Sequence, residues 1–489
     1  MKYEVKKAIF RLLTCLTVIL VMASCGSKKS QTEGNEEAQR DSTYTSLQQP
    51  DWSRNAVIYE VNWRQISDQG DIESVTKQLG RLKDLGVDVL WLMPVNPISE
   101  VDRKGELGSY YAVKDYTALN PELGTIEQFK NFVNKAHELE MKVIIDWVPN
   151  HSGRDNAWVE EHPDWYQRDS LGNMYGPYDW TDVYQFDYSS EGLREAMTNA
   201  LKYWVTEVGV DGFRMDVADH VPLDFWEELR PQLDAVKEGG VFMLAESSKP
   251  ALNKNAFNMS YNWPMKDVFN AIAQTAGYNT RKPADGSPER DYGTAYPDAI
   301  DSLLAYQAEN FPKDSYLMNM ITNHDLNSWE GTEFERLGDL NKAFAILSWT
   351  LPGMPLIYTG QETGMNRAFE FFKKDTPPTF EPKNEYFDFY KKLNYLKHTQ
   401  SALKAGEKGA DLNRIATSSP SIYAFERKND DSDVIVIVNL GNEEAPVEFT
   451  GEFPQINEEQ WLDFFANTGA SYPESLKPGE YKVIIKRPQ

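Results

Sequence analysis

Cysteine is almost missing from this chain: there are two in 489 residues, Cys15 and Cys25, both close to the N-terminus. No disulfide framework is available to the body of the protein, so its stability must come from a buried core. Positive charge is scarce as well. Against 75 Asp and Glu stand 50 Lys and Arg, for a formal charge of −25. That balance excludes a grip on nucleic acid or on anionic lipid, both of which need a cationic surface. A neutral substrate fits it better. The N-terminal apolar run, residues 12–22, falls well short of the roughly 20 residues that a membrane-spanning helix requires. Aromatic residues, by contrast, make up 12% of the chain, with 13 Trp. Such rings fill cores and also stack on sugar faces. The length allows a barrel of about 250 residues or more together with an appendage.

The first 24 residues carry Lys2, Lys6, Lys7 and Arg11 ahead of the apolar run and small residues behind it, the form of an export signal. The ending Met22-Ala23-Ser24-Cys25 is similar to a bacterial lipobox, although Leu is the commoner first residue. That resemblance implies cleavage before Cys25, lipidation of Cys25 and attachment to a bacterial membrane, expected to be the outer membrane, on its periplasmic or cell-surface face. Cleavage would bring the formal charge to −28. Residues 25–50 are rich in Ser, Gln, Glu, Lys and Thr and read as a flexible tether.

Residues 51–400 alternate β-type and helical patterns. Apolar runs at 56–62, 87–95, 142–148, 210–216, 241–246, 257–261, 317–322 and 355–359 read as strands. Helical spacings lie between them, notably around 72–85, 126–139, 192–207, 225–233, 342–350 and 386–396. Eight such units predict a (β/α)8 TIM barrel of parallel strands, with the 257–261 strand the weakest. Residues 151–190 interrupt the rhythm with Trp, Tyr, Pro and Gly, a short insertion after the third strand and a functional one by its aromatic content. Residues 278–296 read as a loop. From 401 to 489 short runs at 421–427, 434–439, 447–450 and 481–486 predict a C-terminal antiparallel β-domain, a β-sandwich that packs against the barrel.

The chemistry gathers at strand ends. In GVDGFRMDVADH, residues 209–220, Arg214 and Asp216 are two apart. Side chains at i and i+2 of a strand share a face, so both point into the barrel near its C-terminal end, where barrel enzymes keep their active sites. The third strand ends in Asp146 with Asn150 and His151 after it, the fifth in Glu246, the seventh in His324 and Asp325. One carboxylate beside a guanidinium and one at the end of an apolar strand suit a pair in which one stays ionised and the other protonated.

These stretches resemble the α-amylase superfamily, glycoside hydrolase family 13. DWVPNH at 146–151, GFRMDVADH at 212–220, LAES at 244–247 and TNHD at 322–325 are similar to its four signatures and come in the same order. The resemblance implies a retaining hydrolase of α-glucosidic, chiefly α-1,4, bonds in starch-derived glucans or maltooligosaccharides. It implies Asp216 as nucleophile, Glu246 as general acid and base, and Asp325 as stabiliser of the distorted sugar. Arg214, His151 and His324 would line the same subsite, Tyr111 would stack on the ring, and Asp146 would support the site. A retaining mechanism sets the two carboxyl groups about 5–5.5 Å apart. No metal is needed for this chemistry, and the calcium ion of some family members is doubtful here: Asn150 and His220 are present, but the expected aspartate falls at Gln185. The lysine often found before the histidine of the second signature is here Asp219. Tyr178, Trp180 and Trp329 suit either sugar stacking or the core. Two alternatives remain open, a transglycosylase or isomerase on the same residues, and a glucan-binding lipoprotein without turnover.

Overall fold

The computed structural model describes residues 47–279 and 290–487. The leader, Cys25 and most of the tether lie outside the described residues. Eight parallel strands close into a barrel: β1 (Ile58–Val61), β2 (Val89–Leu92), β3 (Lys142–Trp147), β4 (Gly212–Met215), β5 (Phe242–Ala245), β6 (Met259–Tyr261), β7 (Tyr316–Asn319) and β8 (Met354–Tyr358). Each expected strand is present, including β6, which is only three residues long. The β7 ladder stops at Asn319, so His324 and Asp325 stand at the start of the helical segment that runs on to Glu330 rather than at a strand terminus. Between β6 and β7 the described residues form two helices that the sequence reading does not name, Trp263–Thr275 and Asp298–Asn310.

Alternation along the strands divides the core in two. Ile58, Val89, Trp91, Ile144, Leu244, Met259, Tyr261, Met318 and Leu356 fill the barrel interior. Their neighbours Tyr59, Leu90, Val143, Phe213, Met243 and Ile357 face outward and pack in the larger cluster with helical residues such as Leu82 and Phe132. The inward parity then places Glu60, Asp146, Arg214 and Glu246 one step above the apolar layers, at the C-terminal mouth.

The opening of β4 shows how local chemistry fixes that placement. Gly209 ends the preceding helix in the left-handed region at φ 90°. The Asp211 carboxylate accepts from the Val143 backbone N–H at 2.8 Å and contacts His137 Nε2 at 2.7 Å, which locks β4 to β3. A Cβ on Gly212 would lie 1.9 Å from the Phe242 carbonyl oxygen of β5. Gly212→Ala is therefore expected to cost about 3 kcal/mol or more of stability, read as a lower midpoint in denaturant unfolding.

The insertion forms a small antiparallel hairpin, His151–Gly153 with Val183–Gln185. Beyond the barrel, a six-stranded antiparallel sheet includes Leu412–Ile415, Ile422–Lys428, Asp433–Asn439, Trp461–Asp463 and Tyr481–Lys486. Its two faces alternate in sequence. Tyr423, Phe425, Val434, Val436, Val438 and Val483 join the barrel's outer core. Ile422, Ala424, Ile435, Ile437 and Ile484 instead cover Ala445 and Leu476 of a separate two-stranded ladder. Arg427, fully buried, donates across this junction to the Thr350 carbonyl at 3.1 Å. The strand expected at 447–450 does not form. Val447 N–H bonds to Glu474 O, while Thr450 N–H bonds to Ala416 O, so the segment is shared between two neighbours instead of following one.

Candidate active site

Arg214 is the hub. Its guanidinium, with no solvent exposure, reaches Asp146 Oδ1 and Asp216 Oδ1 from Nη1, both at 2.9 Å. Its Nε–H donates to the Tyr261 hydroxyl at 3.0 Å. Nη2 lies 2.9 Å from Glu246 Oε2. One planar fork thus touches three carboxylates carried by β3, β4 and β5, and it brings Asp216 and Glu246 together as neighbours in one pocket. The sequence shows no basic residue next to Glu246. The structure corrects that picture, because Arg214 reaches Glu246 from the adjoining strand.

The turn after Asp216 carries strain. Val217, β-branched, sits in the left-handed region at φ 35° and ψ 49°, a conformation that costs on the order of 1–3 kcal/mol. It directs the Val217 N–H at Glu246 Oε2, 2.8 Å away. Glu246 Oε1 is left for a ligand, and so is Asp216 Oδ2, which no described residue hydrogen-bonds.

A second chain of contacts crosses the mouth of the barrel. Glu60 of β1 is fully buried, and its Oε1 lies 2.5 Å from His324 Nδ1. His324 Nε2 is 2.8 Å from the Tyr111 hydroxyl and 3.4 Å from Asp325 Oδ2, and Tyr111 donates to Asp146 Oδ2 at 3.0 Å. Burial opposes charge on His324, yet the Asp325 and Glu60 carboxylates prevail and raise its pKa to about 9. As a cation, His324 donates from both ring nitrogens, to Glu60 and to Tyr111, which fixes the direction of the whole relay. The Tyr111 ring lies stacked on His324, 5.6 Å between centroids. Trp91 Nε1 also donates to Asp146 Oδ2, at 3.2 Å. Asp146 therefore spends its acceptor capacity on the protein, while Asp325, 36% exposed in its side chain, faces the opening.

His151 begins the insertion hairpin, buried. Burial, with the charges of His220 and Lys104, lowers its pKa to about 3, so it is neutral. The Asn150 amide lies 3.3 Å from its Nδ1, which leaves Nε2 to carry the proton. Burial is also the leading cause at the two central acids, which it raises against the pull of Arg214: Asp216 to about 6 and Glu246 to about 7. Asp216 adds to the rise at Glu246 by its own charge.

Of the residues named in the sequence, Arg214 joins Asp146, Asp216 and Glu246 directly, Asp146 is joined through Tyr111 to His324 and Asp325, and His151 stands edge-on to Trp180 in the insertion. Cys25 lies outside the described residues. Sequence reasoning misses Glu60, Tyr261 and Trp91. Only Glu60 carries a usable signal, as the one charge in the run 56–62 with the inward parity of Ile58. Calcium does not fit the residues present. Gln185, opposite His151 in the hairpin, offers a neutral amide, and the insertion's Asp182 is already paired with Lys104 at 3.2 Å. An oxygen site for calcium wants carboxylate charge that this set does not supply.

Known proteins share this arrangement of strands. The family model described as "Alpha amylase, catalytic domain" matches residues 30–185 and 163–414. Alpha-amylase 3 of Dictyoglomus thermophilum is 26% identical over 490 residues, an alignment covering 84% of this chain and 90% of the relative. The crystal structure of a maltogenic alpha-amylase, AmyB, from Thermotoga neapolitana superposes with a TM-score of 0.74 at 29% identity, over 88% of this chain and 96% of that one. An alpha-amylase from Lactobacillus plantarum does so with a TM-score of 0.74 at 29% identity, over 89% and 99%.

Proposed function

Because the chain belongs to the alpha-amylase catalytic-domain family, and so to the glycoside hydrolases acting on α-glucans, we propose that it hydrolyses α-1,4-glucosidic bonds of starch-derived glucans or maltooligosaccharides with retention. The observation that carries this reading is the pair Asp216 and Glu246 on adjacent strands, bridged by Arg214. Asp216 Oδ2 attacks the anomeric carbon. The bond from that carbon to the glycosidic oxygen breaks, and its electron pair goes to the leaving oxygen, which takes the proton of Glu246. A sugar ester on Asp216 results. Glu246, now a carboxylate, removes a proton from water, the hydroxide attacks the same carbon, and the ester bond returns its electrons to Asp216. Two inversions give retention. Arg214 keeps the departing and returning carboxylate oriented, Asp325 holds sugar hydroxyls at the open side, His151 and His324 contact the same sugar, and Tyr111 forms its stacking floor.

Digestion of maltooligosaccharides with product anomers recorded tests this reading. It predicts α-anomeric products shorter than the substrate. Products longer than the substrate would make transfer to sugar the main reaction, and binding without turnover would leave a glucan-binding protein.

The pH profile follows from the two acids. Turnover needs Asp216 ionised and Glu246 protonated, so kcat/KM falls as pH drops through the value near 6 and as it rises through the value near 7. A bell with its maximum between these values is expected in steady-state assays, and Glu246→Gln should remove its alkaline limb.

The lipobox-like Met22-Ala23-Ser24-Cys25 supports a lipid anchor on Cys25, with export to a bacterial membrane, most naturally the outer one. Radiolabelled palmitate should enter the wild-type protein and not a Cys25→Ser variant. Equal labelling of both would remove the anchor.

A further inference from the structure

Asp325 is the least tied of the three acids assigned to the reaction. Among the described residues its carboxylate has one polar partner, His324 Nε2 at 3.4 Å, whereas Arg214 holds both Asp216 and Glu246. Its charge still reaches those two acids and helps to raise them. The backbone that carries Asp325 therefore has to set where its carboxylate stands.

That backbone is an arch. The chain leaves β7 at Asn319, enters a helical turn at His324 and Asp325, widens into one π-helical turn at Leu326–Glu330, and ends at Gly331 with φ 108°. Single π turns of this kind recur at functional sites. Arg336 closes the arch. Its guanidinium, with no solvent exposure, donates from Nε to the Gly331 carbonyl at 2.8 Å and from Nη2 to the Ile321 carbonyl at 2.5 Å. Its Nη1 donates to Asn270 Oδ1 at 2.8 Å, and Asn270 belongs to the helix Trp263–Thr275. One planar fork thus ties both feet of the arch to each other and to that helix. All three partners are neutral, so none of these contacts supplies a counter-charge, and burial lowers the arginine's pKa. A buried cation on neutral acceptors is a costly way to gain stability, but it supplies a rigid fork of fixed spacing.

A second fastening holds the far end of the π turn. Glu330, 16% exposed in its side chain, pairs with Arg290, accepts from the Tyr292 hydroxyl at 2.7 Å, and lies 3.6 Å from the buried Lys266 ammonium. Lys266 stands on the same helix as Asn270.

We propose that Arg336 is a positioning residue for Asp325: by pinning Ile321 and Gly331 to the helix Trp263–Thr275 it sets where the Asp325 carboxylate meets the sugar, with Glu330 as the second fastening of the same arch. This inference rests on the reading of Asp325 given above, as the group that holds sugar hydroxyls, and deepens it.

A double-mutant cycle tests it, with α-maltosyl fluoride beside maltohexaose so that slow variants stay measurable. Arg336→Lys keeps the charge but not the fork. It is expected to lower kcat on both substrates by about 100-fold, with KM within about threefold of wild type. In an Asp325→Ala background the carboxylate to be positioned is gone, and the same change should lower kcat by no more than about twofold. Glu330→Gln loosens the arch at a partly exposed site. It should give about a tenfold loss, again only where Asp325 is present, and it decides the matter if Arg336→Lys does not fold. Equal factors in the two backgrounds, or a raised KM at unchanged kcat, would make these residues purely structural and overturn the proposal. Wild-type rates in Asp325→Ala would overturn it together with the role of Asp325. Wild-type protein inert toward both substrates would overturn the hydrolase reading itself.

Discussion

Asp216→Asn is expected to lower kcat/KM on maltooligosaccharides by about 10⁴-fold or more, with a melting temperature within a few degrees of the wild type. The amide has the shape of the carboxylate but cannot form the sugar ester, so the loss falls on the chemical step. The fold tolerates the change because Arg214 keeps Asp146 and Glu246 as partners. A further readout separates this from a general fault. The charge of Asp216 helps to raise Glu246, so the alkaline limb of any residual activity should move to lower pH. Activity close to wild type would mean that Asp216 is not the nucleophile.

Arg214→Leu is expected to produce the largest combined effect. It removes the common cation of three buried or nearly buried carboxylates, Asp146, Asp216 and Glu246. Breaking one buried pair by deleting a partner costs about 3–5 kcal/mol. The sign with pH is definite. Without the guanidinium the folded-state pKa values of the three acids, already raised by burial, rise further above the unfolded values near 4. A carboxyl raised in the folded state loses stability as pH increases from its unfolded value through its folded value. The variant should therefore melt closest to wild type near pH 4 and fall progressively below it toward pH 8. Thermal melts across that range check this, and a deficit independent of pH would mean that Arg214 acts through packing alone. Catalysis near neutral pH should be largely lost, since Asp216 would ionise only at higher pH and would no longer be oriented by the guanidinium.

The two-residue period of a strand makes the shared face of Arg214 and Asp216 legible in the sequence, while the roles of the other site residues come from the resemblance of the four signatures. Spacing by itself assigns Arg214 and Asp216 to one inward face, and Gly209 and Gly212 mark the approach to it. What the sequence hides depends on contacts between distant parts of the chain. Nothing near Glu246 in sequence discloses Arg214, because the contact runs across a ladder from β4 to β5. Glu60 meets His324 only because barrel closure sets β1 one strand away from β7, after which the chain turns into the helical segment carrying His324. The left-handed Val217 defies its own propensity, since a β-branched residue there is held by its surroundings. The 447–450 segment fails as a strand for the converse reason: its β-branched and aromatic residues carry strand propensity, but two different neighbours take up its hydrogen bonds. Sequence does not sort Tyr178 and Trp329 into core or surface, and exposures of 74% and 51% remove both from the core.

The most direct measurement is mass spectrometry of the protein incubated with 5-fluoro-α-glucosyl fluoride, whose ring fluorine slows release of the sugar from the enzyme. The account predicts an adduct of one fluoroglucosyl unit, mapped by proteolysis to the peptide containing Asp216 and absent from Asp216→Asn. Turnover of the reagent with no adduct, or a label on any other carboxylate, would contradict it.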